Sequence, residues 1–150
     1  REKAHAQALI RLAEDTLYFH VVYDRWANET VWPSIRETYF REIPAIIRRP
    51  VTHSIRQSVC TGLAFQGTGR FNQTERSERL EQDLQAVTNL LEGGSFLMGH
   101  QITSADFSVA AMLQAMRSTM VETSLVRRIS DDPVLSGYVD RVFQEAMPLP

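Results

Sequence analysis

Four histidines, one cysteine and thirteen aromatic residues are the side chains in this 150-residue chain with the most scope for chemistry. His5, His20, His53 and His100 are dispersed. They form no His-Glu-x-x-His motif and no His/Cys cluster, so no metal site is expected. His20 has the most suggestive setting. It lies in the stretch Thr16 to Tyr23 (TLYFHVVY), which carries no formal charge, and Asp24 follows four residues later. On a helix those two share a face. An aspartate so placed can hold the imidazole tautomer, as an orienting carboxylate does for a general base. A satisfied core histidine has the same spacing, and the sequence leaves both open. Cys60 is alone, so it forms neither an intrachain disulfide nor a Cys-x-x-Cys pair. A nucleophilic thiolate needs a base or cation close by. His53 is seven residues away and Arg56 four, and a small buried thiol is the ordinary reading. No Ser/His/Asp order, paired carboxylates or nucleotide fingerprint is present, so no catalytic residue is assigned. Gln66-Gly67-Thr68-Gly69-Arg70 resembles a phosphate loop only in its glycines. A phosphate cradle opens a helix after a strand, with Lys and Ser or Thr next. Here the glycines close a helix and Phe71 follows, which reads as a stop.

The aromatics are uneven. Seven of the thirteen lie between Tyr18 and Phe40. Tyr18, Phe19, Val22 and Trp26 could line one wall of an apolar pocket, with tyrosine hydroxyls as polar handles. A core cluster between the first two helices is the more ordinary reading. Sealed rings would mean core; an open face would mean a pocket.

The elements that must position these residues are helical almost throughout. Strand alternation and hairpin signals are absent. A first helix is expected from about Glu2 to Ala27, with Ala8, Leu12, Phe19, Val22 and Trp26 as its stripe. The uncharged Thr16–Tyr23 stretch suggests enclosure on several sides. Pro33 suits the start of a short helix with Ile35, Tyr39 and Phe40. Pro44 and Pro50 should bracket a connection, followed by a helix from about Val51 to Ala64 with Val51, Ile55, Val59 and Gly62/Leu63 on one face. Asn72 or Thr74 should cap the next helix, with Leu80, Leu84, Val87 and Leu91 buried. Gly93-Gly94 should end it through left-handed backbone angles. Ile102-Thr103-Ser104-Ala105-Asp106-Phe107 is the sharpest local signal: a capping box with Asp in the Glu position, flanked by a hydrophobic staple. The helix it starts should reach about Val121 and be buried all round from Phe107 to Met116. A last helix should start at Pro133 after Asp132, carry Leu135, Tyr138, Val142 and Ala146, and end at Pro148 and Pro150. The expectation is one all-α domain over residues 1–150, a compact bundle of five to six helices.

Composition sets outer bounds. Hydrophobic residues make up 43% and charged residues 23%, with formal net charge −2. That suits a folded domain with a real core and not a disordered or disulfide-rich chain. The balance argues against a dedicated nucleic-acid binder, and no apolar run is long enough for a membrane span. Arginine outnumbers lysine fifteen to one. Codon bias accounts for that; a surface built for bidentate carboxylate or phosphate contacts is the functional alternative. The chain starts at Arg1 with no signal-peptide segment, so an excised domain or processed chain, cytoplasmic in location, is expected.

Phe96-Leu97-x-Gly99-x-x-x-Thr103-x-Ala105-Asp106 resembles the signature of the glutathione transferase C-terminal helical domain. In that family a Phe-Leu-x-Gly loop leads into the Thr-x-x-Asp capping box of a central helix. The likeness covers essentially the whole chain. Gln66-Gly67-x-Gly69-Arg70 is similar to the branch containing failed-axon-connections-like and metaxin-like proteins. The resemblance implies a missing partner, the N-terminal thioredoxin-like domain, which binds glutathione and carries the catalytic Tyr, Ser or Cys. This chain would hold no cofactor itself and would be inactive alone. It would supply the hydrophobic side of a site for a small apolar electrophile, with Tyr18, Tyr23 and Trp26 as positional candidates. Thr103 and Asp106 match the motif directly, with a role in folding. A homodimer through the first two helices is also implied. The alternative is a non-catalytic binding or assembly module of the metaxin-like type, with a protein partner.

Overall fold

The structure, a computed structural model, describes residues 2–146. The fold is all-α, with no β-strand among the described residues. Arg1 and the expected stop at Pro148 and Pro150 lie outside that range. Helix α1 (Glu2–Leu12) runs through a π-helical turn at Ala13–Leu17 into α2 (Tyr18–Trp26) as one rod. It is followed by α3 (Trp32–Tyr39), α4 (Ala45–Gln66), α5 (Gln73–Leu91), α6 (Ser104–Arg117), α7 (Ser124–Ser130) and α8 (Pro133–Ala146). Counting the first rod once, the described residues form seven α-helices where five to six were expected, the addition being α7. Thr123 starts it, its hydroxyl oxygen accepting from the Val126 amide at 3.2 Å. That cap sits in a run too short for periodicity to reveal.

The π turn changes which face of the first rod is buried. Ala13, Leu17 and Val21 enter the core at spacing four, and His20 and Asp24 repeat the spacing beside them. The expected stripe through Phe19, Val22 and Trp26 is only half-buried, and Ala8 is exposed. Tyr18 is 46% exposed, so Thr16–Tyr23 is enclosed on one side rather than several. A π turn fits more residues into each turn than an α-helix does, so it rotates everything after it.

Helix α4 departs furthest from expectation. It starts before Pro50, not after it. Pro50 lacks only the amide that would pair with the Ile46 carbonyl. Ile46 is fully exposed, and water can serve that carbonyl. Arg48 secures this first turn: its guanidinium donates to the carbonyls of Ile43 and Arg41 and to Glu37, at 2.8–3.0 Å. Thr52 and Leu63 are the buried residues of α4, whereas Val51 and Ile55 lie exposed. The first half of the expected stripe, Val51 and Ile55, thus points outward, while Val59 is half-buried and Leu63 enters the core. Cys60 is half-buried.

The glycines act as stops by two routes. Gly67 takes φ +123° and closes α4, its amide donating to Leu63 at 3.0 Å. Gly93 and Gly94 do not adopt left-handed angles; Gly67 and Gly99 are the positive-φ residues among those described. Gly94 is needed for closeness instead, since a Cβ there would lie 2.3 Å from the Gly99 carbonyl oxygen.

The core lies where α6 crosses the first rod, α5 and α8. Val109, Ala110, Leu113 and Met116 meet Leu17, Leu84, Val87, Leu135 and Val139. Helix α6 ends at Arg117 rather than Val121, and it is not buried all round, since Phe107 is half-exposed and Ala111 exposed. Asn72 caps α5 in a reciprocal box with Glu75, at 3.0 and 2.9 Å. Asp132 caps α8 by accepting from the amides of Val134 and Leu135.

Candidate functional site

Asp106 organises the loop before α6. One carboxylate oxygen accepts from the amide and hydroxyl of Thr103, each at 2.8 Å. The other accepts from the Leu97 amide at 2.8 Å and the Tyr138 hydroxyl at 3.1 Å. Asp106 and Tyr138 have no solvent access. Burial, then the Asp106 charge, pushes the Tyr138 phenol well above its usual range. This constellation fastens α6, the 96–103 loop and α8 together. Both Asp106 carboxylate oxygens are thus occupied by donors from the chain itself.

The site with room for a ligand lies elsewhere. A cavity of about 500 Å³ opens between α2, α5 and α7. His20, Tyr23, Asp24 and Asn28 form one wall, Arg76, Ser77, Leu80 and Glu81 the second, and Ser124, Leu125 and Arg128 the third. Helix spacing explains His20 and Asp24, four residues apart on one face with Tyr23 beside them, and Asn28 joins them from the turn just past the end of α2. The Arg76 guanidinium carbon sits 3.5 Å from the centre of the Tyr23 ring, a cation–π stack. Arg76 also donates to the Phe71 carbonyl at 2.6 Å. Arg128 forks onto both Glu81 oxygens at 2.7 and 2.8 Å and reaches Asp132 at 2.7 Å. That fork is the bidentate geometry for which arginine is suited and lysine is not. Arg56, from α4, donates to the carbonyls of Trp26 and Ala27 at 2.7 and 3.1 Å and so caps the end of α2. It also grips Glu29.

His20 and Asp24 share this wall, and both are strongly buried. Burial, aided by the Arg76 charge, lowers the His20 imidazole to about 4. It is therefore neutral at neutral pH. Burial raises the Asp24 carboxyl above its ordinary value, against a hydrogen bond from Asn28 and the charge of Arg25. One Asp24 oxygen accepts from the Asn28 amide at 2.9 Å. The other is buried with no hydrogen-bond partner among the described residues. No direct hydrogen bond joins Asp24 to His20, so the orienting-carboxylate arrangement is not formed.

The three aromatics named from the sequence are not brought together. Tyr23 lines the cavity. Trp26 packs against Trp32 and Phe40, with ring centres 5.3 and 6.1 Å away, in a satellite cluster with Val31 and Ile35. Tyr18 stands edge-on to Phe19 at 5.2 Å on an open surface. Sequence reasoning missed Asn28, Arg76, Glu81 and Arg128. Asn28 could have been found as the next four-residue step after Asp24. The others come from α5 and α7, and only packing brings them to α2. Among the described residues no group of His, Cys, Asp and Glu could hold a metal ion, and no helix is long and apolar enough to cross a membrane.

Comparison with known proteins adds to this geometry. The family described as glutathione S-transferase, C-terminal domain, matches residues 19–140. The isoprene-epoxide–glutathione S-transferase of Rhodococcus sp. (strain AD45) is 25% identical over 151 residues. The match takes in 95% of this chain and 60% of that protein, so the chain spans less than two thirds of that relative's length. No solved structure matches significantly.

Proposed function

Because the chain belongs to the glutathione S-transferase C-terminal domain family, we propose that it supplies the acceptor-substrate side of a glutathione-conjugating site. The observation that carries this reading is the cavity whose wall bears Tyr23, on the helix where the family places its acceptor pocket. Glutathione is the co-substrate, held and activated by a thioredoxin-like domain outside this chain. The acceptor is a small electrophile, and the relative's name makes an epoxide the first to try. The wall is more polar than an apolar acceptor requires, since it carries His20, Asp24 and Arg76 beside Tyr23 and Leu80. Its role is to orient the electrophile and exclude water, while the thiolate comes from glutathione. We place the protein in the cytoplasm, where the family's soluble members work.

Two measurements test this. The chain alone conjugates no glutathione. In the protein that joins it to its glutathione-binding domain, Tyr23→Ala lowers kcat/KM for a small epoxide by about tenfold, about 1.4 kcal/mol of transition-state binding. An unchanged kcat/KM would remove the cavity from the reaction.

The outward face of α4 supports a homodimer. Ile47, Val51, Ser54, Ile55, Ser58, Gly62 and Phe65 share one side of a helix roughly 33 Å long. Phe65 is 86% exposed and Ile47 49%. No charge interrupts that side, so nothing on it repels a symmetric copy. Sedimentation of the chain should show a dimer that Phe65→Glu with Ile47→Glu converts to monomer. A monomer at high concentration would count against the dimer and favour the assembly-module reading, with a different protein on this face.

A further inference from the structure

We propose that the cavity between α2, α5 and α7 takes a small zwitterion, with a cationic amine on Asp24 and a carboxylate on Arg76. The proposal rests on the reading of this cavity as the acceptor pocket and narrows the acceptor to an amino-acid-like molecule.

Charge matching around the cavity carries the inference. Asp24, Glu29, Glu81, Arg76 and Arg128 are the lining residues with full charges. Glu81 is matched by Arg128 at 2.7 Å, and Glu29 by Arg56 at 2.8 Å. Asp24 and Arg76 remain. Neither has an ion-pair partner among the described residues. They cannot relax onto each other easily, since Arg76 is held over the Tyr23 ring and tied to the Phe71 carbonyl. Arg25, next to Asp24 in sequence, acts on it through its charge but forms no ion pair with it, directing its guanidinium to the Ala115 carbonyl at 3.0 Å. His20, neutral at neutral pH, brings no compensating charge.

Asp24 also has unmet acceptor capacity. It is 8% exposed, and one carboxylate oxygen has no donor while the other has Asn28. Buried acceptors without partners are uncommon in folded proteins. An ammonium group supplies donors as well as charge. Arg76, with one guanidinium nitrogen committed to a carbonyl, retains N–H groups for a carboxylate. A ligand with a single charge would satisfy one of the two and leave the other uncompensated. A zwitterion satisfies both and leaves the cavity's net charge unchanged.

The test is a titration of this chain, followed by amide NMR, with glycine, 3-aminopropionate and 4-aminobutyrate. Butyrate and butylamine are the singly charged controls. One member of the length series should bind at least about tenfold more tightly than either control. Asp24→Asn should abolish its advantage over butyrate, and Arg76→Gln its advantage over butylamine, with shifts mapping to α2, α5 and α7. Thermal unfolding of both variants establishes that each is folded. No preference for any zwitterion, or a preference untouched by either substitution in a folded variant, overturns the proposal. Conjugation assays separate it from the reading beneath it. Zwitterion binding with conjugation indifferent to Tyr23→Ala leaves this inference standing and removes the acceptor-pocket reading. Conjugation lost in Tyr23→Ala without zwitterion preference does the reverse.

Discussion

Replacing Asp106 with alanine lowers the unfolding free energy by about 4 kcal/mol, because it strips acceptors from several buried donors at once. The Leu97 amide and the Tyr138 hydroxyl lose the partners they hold at 2.8 and 3.1 Å, in a region closed to water. The Thr103 amide and hydroxyl lose theirs too, with partial rescue by solvent. Each buried donor left without a partner costs roughly 1–3 kcal/mol, and the donors act on three separate segments. The effect should exceed the roughly 1 kcal/mol of an ordinary exposed cap. Urea titration of Asp106→Ala, with Tyr138→Phe and the double variant, measures it. The cycle should show strong coupling, because Tyr138→Phe removes one of the orphaned donors. A loss below about 1.5 kcal/mol would mean that the loop rearranges to satisfy those donors some other way.

The second large effect is on pH. His20 titrates at about 4 in the folded chain, whereas a free imidazole titrates near 6.5. The folded state therefore binds fewer protons than the unfolded state between those values. The stability this residue contributes is fully present above about 6.5 and is lost progressively as the pH falls toward 4. The span corresponds to roughly 3 kcal/mol. Asp24 acts in the opposite sense. Its raised carboxyl gains a proton earlier in the folded state, which offsets part of the loss at the acid end of the window. The other three histidines are exposed. Unfolding free energy measured from pH 7 to pH 4 should fall steeply, and His20→Leu should flatten the curve. An equal slope in His20→Leu would show that His20 is not the residue that must be kept neutral.

The capping signals were legible because their chemistry is local. Thr103 and Asp106, Asn72 and Glu75, and Asp132 before Pro133 each act within three residues, and a helix start depends on little else. Most of the core of α5 and α8 was legible because Leu84, Val87 and Leu91, and Leu135, Tyr138 and Val142, keep a regular period, although Ala146 at the end of the α8 stripe is exposed. The buried face of the first rod was not. A π turn at Ala13–Leu17 leaves no mark in a pattern read at 3.6 residues per turn, and it moved the core from Phe19 and Trp26 to Leu17, His20 and Asp24. The first half of the α4 face was misjudged for a different reason, while Leu63 is buried as expected. Val51 and Ile55 are apolar at helical spacing, and periodicity shows that a helix has such a face without showing whether anything in the same chain covers it.

The amino-acid sequence by itself determined an all-α chain, the helix caps at Asn72, Thr103 and Asp132, and the Phe96–Asp106 segment that resembles the family's signature. Those follow from contacts between residues close in sequence. Only the tertiary structure decided which candidates meet. It separated Tyr18, Tyr23 and Trp26 onto three surroundings, and it brought Arg76, Glu81 and Arg128 across from two other helices to face His20 and Asp24. Which charges are matched and which stand alone depends on distances between helices far apart in the chain, and those distances are set by how the helices pack.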